Sequence, residues 1–168
     1  MPPVLTAAIN LAVNGKHTSA LDLGTEVDPF TKSLAIALAN GTGANQADRV
    51  FKDTRTLALS ATEDLDLAGV LLDGFGQLIT FAKLKAVILL AAAGNTNDVQ
   101  VTRPAANGVP LFLAAADGLA VKPGGAFVWV APGTGVTVTP ATGDLLTITN
   151  GGAGTPVTYD VILIGTSA

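Results

Sequence analysis

Glycine, proline, asparagine and aspartate break this chain into short apolar stretches about every eight to twelve residues, and between the breaks the pattern repeats every second residue. That combination leaves little room for anything but short antiparallel strands. Nineteen Gly and nine Pro supply much of the punctuation. Val136-Thr137-Val138-Thr139 and Leu146-Thr147-Ile148-Thr149 alternate cleanly. In 55–60, Arg55, Leu57 and Leu59 share one face, and Thr56, Ala58 and Ser60 take the other. In 63–67, Leu65 and Leu67 are expected inward, Asp64 and Asp66 outward. Alternation of this kind means one wet face and one buried face.

Some stretches depart from it. Phe81 to Leu90 carries Lys83 and Lys85 on the face shared with Val87 and Leu89, so one end of that strand is expected to be wet. Val157 to Ile164 is apolar on both faces except Thr158 and Asp160, which suits the middle of a sheet or a contact with a neighbouring chain. Ser33 to Asn40 has a helix cap at Ser33 and a stop at Asn40-Gly41. It equally alternates Leu34, Ile36 and Leu38 against alanines, and the strand reading is preferred. Asp73 to Ile79 and Val109 to Ala116 have room for one helical turn each. Hairpin signals cluster late, at 94–98, 132–135, 141–144 and 150–154, where Gly and Asn tolerate the backbone of tight turns. Residues 49–168 therefore read as an antiparallel β-sandwich of about eight strands. Residues 1–48 differ in texture and read as an N-terminal arm, partly extended, that pairs with the body or with a neighbour.

Composition bears on what covers these strands. The chain is 49% hydrophobic and only 13% charged, against about 25% charged in an average soluble domain. Much of the exterior is expected to face other protein. The longest pure apolar run, Ala86 to Ala93, is far short of the about 20 residues a membrane span needs. The start shows no basic region followed by an apolar stretch, so no signal peptide is expected. Nine basic residues are scattered and outnumbered by thirteen acidic ones, for a net charge of −4. Direct contact with nucleic acid, which needs clustered Lys and Arg, is not expected. There is no cysteine, hence no disulfide and no thiolate metal site.

Catalytic patterns are missing in the same way. A Ser-His-Asp or Cys-His arrangement would have to use His17, the sole histidine, which sits between Lys16 and Thr18 and reads as an exposed loop residue. No G-x-S-x-G elbow exists. Glu63, Asp64 and Asp66 form the densest acidic group, and Asp64 and Asp66 would lie roughly 7 Å apart on one strand face. A solvated strand edge explains them. Asp22, Glu26 and Asp28 form a looser group. Neither matches a calcium loop. Gly41-Thr42-Gly43-Ala44-Asn45-Gln46 starts like a dinucleotide loop but lacks the third Gly and opens no helix. Gly15-Lys16-His17 lacks the other marks of a phosphate loop, and both read as turns. No catalytic residue, cofactor or metal is expected. Phe127 and Trp129 share a strand face, which reads first as core packing or an intersubunit contact; with Tyr159 they are also the candidate interaction surface.

The overall texture resembles a known group. The quoted stretches are Asp48-Arg49-Val50-Phe51, Thr56 to Ala61, Glu63 to Leu67, Phe81 to Val87, Lys122-Pro123-Gly124-Gly125 and Gly154 to Gly165. From about Asp48 onward the chain looks like the small jelly-roll structural proteins of tailed-bacteriophage virions, the capsid cement or decoration proteins among them. That resemblance implies a single jelly roll of about eight strands and no enzymatic activity. It implies a dimer or trimer on the outer surface of the capsid, clamping subunits of the major capsid protein after assembly in the bacterial host cytoplasm. Two other readings stand beside it. One is a tail, fibre or baseplate module that attaches to the host through a sugar held by Phe127, Trp129 or Tyr159. The other, a cupin-type enzyme, needs more histidines than one.

Overall fold

A computed structural model describes residues 3–168, so the Met1-Pro2 start of the chain lies outside it. In chain order the strands are β1 (Ala7–Leu21), β2 (Gly24–Asn40), β3 (Gln46–Ala47), β4 (Arg49–Leu57), β5 (Thr62–Asp66) and β6 (Lys83–Ala91). They continue with β7 (Val99–Thr102), β8 (Gly118–Val121), β9 (Ala126–Val130), β10 (Val136–Thr137), β11 (Leu145–Asn150) and β12 (Val157–Thr166). The protein is all-β. No helix occurs among the described residues, so none is long and apolar enough to cross a membrane.

The segments with room for a helical turn form turns and bends. Asp73 accepts the backbone N–H groups of Phe75 and Gln77 at 2.8 and 2.9 Å, and Leu72 bridges to Leu78, which closes a small loop. In 109–116 the Arg103 guanidinium donates to the Phe112 carbonyl at 3.1 Å, and Asp117 accepts the Ala114 N–H. In both places side chains satisfy the backbone in place of a helical ladder.

Beyond the N-terminal hairpin and β3, the strands form two antiparallel sheets. In the first, β4 pairs with β12 and β12 with β6, while β9 and β10 both pair with the far side of β6. The second runs β5-β11-β7-β8. The sheets share one core: Val87, Leu89, Val161 and Leu163 of the first meet Leu65, Val101, Leu146 and Ile148 of the second. β12 lies between β4 and β6, which is why its sequence is apolar on both faces. Its register shifts between Ile164 and Gly165. A Cβ on Gly165 would clash with the Lys83 carbonyl oxygen and with the Phe81 ring.

Two expectations about wet faces are corrected. Lys85 is 1% exposed. Its ammonium donates to the carbonyl oxygens of Pro132 (3.3 Å) and Gly133, so the turn after β9 caps it. Burial, followed by the nearby Lys83 charge, holds its pKa below the usual lysine value. Thr147 is buried as well, with its hydroxyl donated to Asp64.

Ser33–Asn40 is strand, as its alternation suggested, within a long hairpin of β1 and β2. The two strands pair in unbroken register from Ala7 opposite Leu38 to Leu21 opposite Gly24. Asp22 and Leu23 alone make the turn. β2 then pairs in parallel with β3 through Ala39–Gln46 and Asn40–Ala47. The Gly41–Gln46 loop closes on itself, with the Gly43 N–H donating to the Gln46 side chain at 2.8 Å. His17 is exposed, as expected, but it lies in mid-strand opposite Asp28 and not in a loop.

Candidate functional site

Opposed residues of an antiparallel pair point to the same face, so the hairpin register sorts its side chains into two faces. One carries Ala7 with Leu38, Ile9 with Ile36, Leu11 with Leu34, Val13 with Lys32 and Gly15 with Phe30. The Phe30 ring covers Gly15, where a Cβ would collide with it. The other face is small or polar, with pairs such as Asn10–Ala35, Ala12–Ser33 and Asn14–Thr31. The ribbon is thus amphipathic, apolar from its base to Phe30 and charged beyond, at His17–Asp28 and Ser19–Glu26.

Only the base of the apolar face is covered. Leu38 is buried with Ala47, Ala86 and Ile164, and Ile9 and Ile36 pack against that cluster. From residue 10 to residue 35 every side chain is exposed except at Gly15. Leu11, Val13, Phe30 and Leu34 are each more than half exposed, and Leu23 at the tip is completely so. An isolated two-stranded ribbon is marginal in water, and the same face that anchors the base continues for several residue pairs with nothing on it.

The surface beneath the base also continues. On the outer face of the first sheet, Val50, Ile164, Ala86 and Val130 form the row under the hairpin. The next row is Lys52, Ile162, Ile88 and Val128, and the one after it Thr54, Asp160, Leu90 and Ala126. Val128 and Leu90 are 43% and 41% exposed. Lys52, Thr54, Leu90, Asp160 and Ile162 line a shallow open depression there. Half of this sheet face receives the chain's own hairpin and the other half lies open.

The aromatic residues singled out in the sequence do not form a common surface. Tyr159 is fully buried in the core, because its position on β12 faces the opposite sheet. Phe127 and Trp129 are half-buried on β9 and packed against the same core. Phe127 stacks on Phe112 with ring centroids 6.0 Å apart. The tyrosine belongs to a polar brace between the sheets. Its hydroxyl donates to Glu63 of β5, and Glu63 also accepts from Arg55 of β4. Arg55 further donates to Asp53 at 3.1 Å and lies over the Phe51 ring at 5.5 Å. Burial, then the hydrogen bond and charge of Glu63, push the Tyr159 phenol well above its ordinary range. Burial pulls the Arg55 guanidinium down, but the hydrogen bond and charge of Glu63 more than offset it, so its pKa is raised. No buried polar side-chain atom of this brace is left without a partner.

The other acidic residues are occupied locally. Asp64 holds Thr147, and Asp66 accepts the Ala68 N–H at 2.9 Å to shape the turn after β5. Asp22, Glu26 and Asp28 lie at the far end of the hairpin. Among the described residues no three His, Asp or Glu gather closely enough to hold a metal ion.

The amphipathic ribbon is the candidate functional feature that sequence reasoning missed. Its signal is present: Ile9, Leu11 and Val13 alternate, and so do Phe30, Lys32, Leu34, Ile36 and Leu38. Asp28-Pro29 in one strand, and a turn lacking Gly or Asn at its centre, hid the pairing. Compared with protein-family models, with curated proteins and with solved structures, the chain matches none.

Proposed function

We propose that this protein is a virion structural protein of a tailed bacteriophage, a capsid cement or decoration protein on the outer surface of the capsid. In this reading it forms a dimer or trimer and clamps neighbouring subunits of the major capsid protein, with no catalytic step, no cofactor and no direct hold on nucleic acid. The observation that carries the proposal is the projecting hairpin. Its apolar face leaves the body uncovered from Leu11 to Phe30, and a ribbon of that kind is built to lie on another protein.

The strand order supports a jelly-roll sandwich as the body. Going along the chain from β4 to β7, each connection passes from one sheet to the other, and the last two strands, β11 and β12, again lie in opposite sheets. That wrapping of two sheets around one core is the habit of jelly rolls. The low charge supports a surface destined for contact. A clamp of this sort acts by mass action, because it binds assembled subunits and not free ones, and many symmetry-related copies multiply its effect.

The test is the mass of the purified protein in solution, followed by co-sedimentation with empty capsids. Stable oligomers that travel with the shells are expected. A monodisperse monomer with no affinity for shells would remove the proposal.

A further inference from the structure

We infer that the exposed part of the hairpin's apolar face lies on the outer sheet face of a second copy of this chain, Phe30 and Leu34 of one copy meeting Ile88, Leu90 and Val128 of the other. The inference rests on reading the chain as an assembling protein, and it names the two surfaces that assemble.

Continuity is the first argument. The proximal residues of the apolar face, Ile9, Ile36 and Leu38, already sit on Ala86, Ile164, Val50 and Val130 of their own sheet. The residues that follow on that face, Leu11, Val13, Leu34 and Phe30, are apolar too, as are Ile162, Ile88 and Val128 in the next row of the sheet. The chain's own ribbon does not supply this second contact, since its side chains from 10 to 35 are in solvent save at Gly15. A ribbon from another copy brings to the open row the same kind of side chain that the covered row already accepts.

Charge is the second argument. Lys52 and Asp160 border the open row, and among the described residues neither makes an ion pair. On the ribbon's apolar face Lys32 and Asp28 flank Phe30, and they make none either. With Phe30 in the depression beside Leu90, Lys32 and Asp28 lie about 7 Å to either side of it along the strand, the lysine to face Asp160 and the aspartate Lys52.

Area is the third. From Leu11 to Leu21 the ribbon is about 35 Å long and about 10 Å wide. In a reciprocal pair each copy gives its partner one ribbon and receives one, which makes two contacts of roughly 350 Å² each and approaches the about 800 Å² per partner typical of stable association; in a ring the two contacts are made with different neighbours. Giving with one surface and receiving with another closes as a reciprocal pair or as a ring.

Sedimentation mass tests it, with urea unfolding of each variant as the check that the body is folded. The wild-type chain is expected as a dimer or trimer. Leu34→Asp, on the projecting ribbon, and Val128→Lys, on the sheet, are each expected to give monomers; Leu90→Lys replaces Val128→Lys if that variant fails to fold. An equimolar mixture of the ribbon variant and the sheet variant is expected to form a heterodimer through one sound contact, appearing at a higher protein concentration than the wild-type oligomer and absent from either variant alone. The chain has no cysteine, so Phe30→Cys combined with Leu90→Cys is expected to link chains on mild oxidation. A wild-type monomer, oligomers that survive both single variants, or a mixture that stays monomeric would overturn the inference. Oligomers that break as described but ignore empty capsids uphold it and remove the virion reading. A wild-type monomer that still binds capsids does the reverse.

Discussion

Glu63 of β5 accepts the hydroxyl of Tyr159 of β12, so one carboxylate ties the sole tyrosine of the chain to the opposite sheet. Because Glu63 also accepts from Arg55, the two partners respond differently to truncation. Tyr159→Phe removes one hydrogen bond and leaves Glu63 paired; a loss of about 1–2 kcal/mol in urea unfolding is expected. Glu63→Ala strands the buried Tyr159 hydroxyl and leaves Arg55 with Asp53 alone, and a loss of about 3 kcal/mol is expected. Equal losses from the two variants would mean that the brace does not bear on stability in this way.

The same phenol sets an alkaline limit. Its folded pKa is raised above that of the unfolded chain, so the stability it brings is fully present below about pH 10, the unfolded tyrosine value. It is lost as pH rises from there toward the folded pKa, at about 1.4 kcal/mol per pH unit for one proton. With one tyrosine, absorbance at phenolate wavelengths is expected to rise only together with unfolding. In Tyr159→Phe this part of the alkaline loss is expected to vanish.

Lys85 separates stem from charge. Its stem is buried and its ammonium caps the carbonyl of Gly133. Lys85→Met keeps most of the stem and loses the cap, for an expected cost of about 1 kcal/mol. Lys85→Ala also opens a cavity, for an expected cost of about 3 kcal/mol. Thermal unfolding of the pair distinguishes the two contributions.

Gly165 sits at the register shift of β12 with no room for a methyl group. Gly165→Ala forces the backbone of Lys83 or the ring of Phe81 to move, and a loss of about 2–3 kcal/mol is expected. Gly154, which has open space around it, serves as the control, and Gly154→Ala is expected to change stability little.

Leu38 anchors the hairpin to the body. Leu38→Asp is expected to release the hairpin without unfolding the sheets. In hydrogen exchange, amides of β1 and β2 would lose protection while those of β6 and β12 keep it. Loss of protection throughout would show that the hairpin and the body fold as one unit.

The body was largely legible because its strands obey a simple rule. Leu65 and Leu67 point inward, and β12 reads as central, since alternation and doubly apolar runs report burial directly. Lys85 and Thr147 misled because each is charged or polar yet finds its partner only in three dimensions, in Gly133 and Asp64. Tyr159 looked like a surface aromatic because nothing local shows that Glu63, ninety-six residues away, receives its hydroxyl. Of the hairpin, the strand over 33–40 is legible and the pairing of β1 with β2 is not. Its turn at Asp22-Leu23 lacks the Gly or Asn that marks such turns, and Pro29 looks like a break although it is tolerated in a strand at a sheet edge.

The fifteen residues of β1 give the hairpin a length of about 50 Å, more than three times the radius of gyration of about 15 Å expected for a chain of this size. In the proposed assembly the reach from one body to the next follows strand length, like a ruler. Adding two residues to each strand would lengthen it by about 7 Å with the greasy side still facing its target, whereas adding one to each would turn that side away.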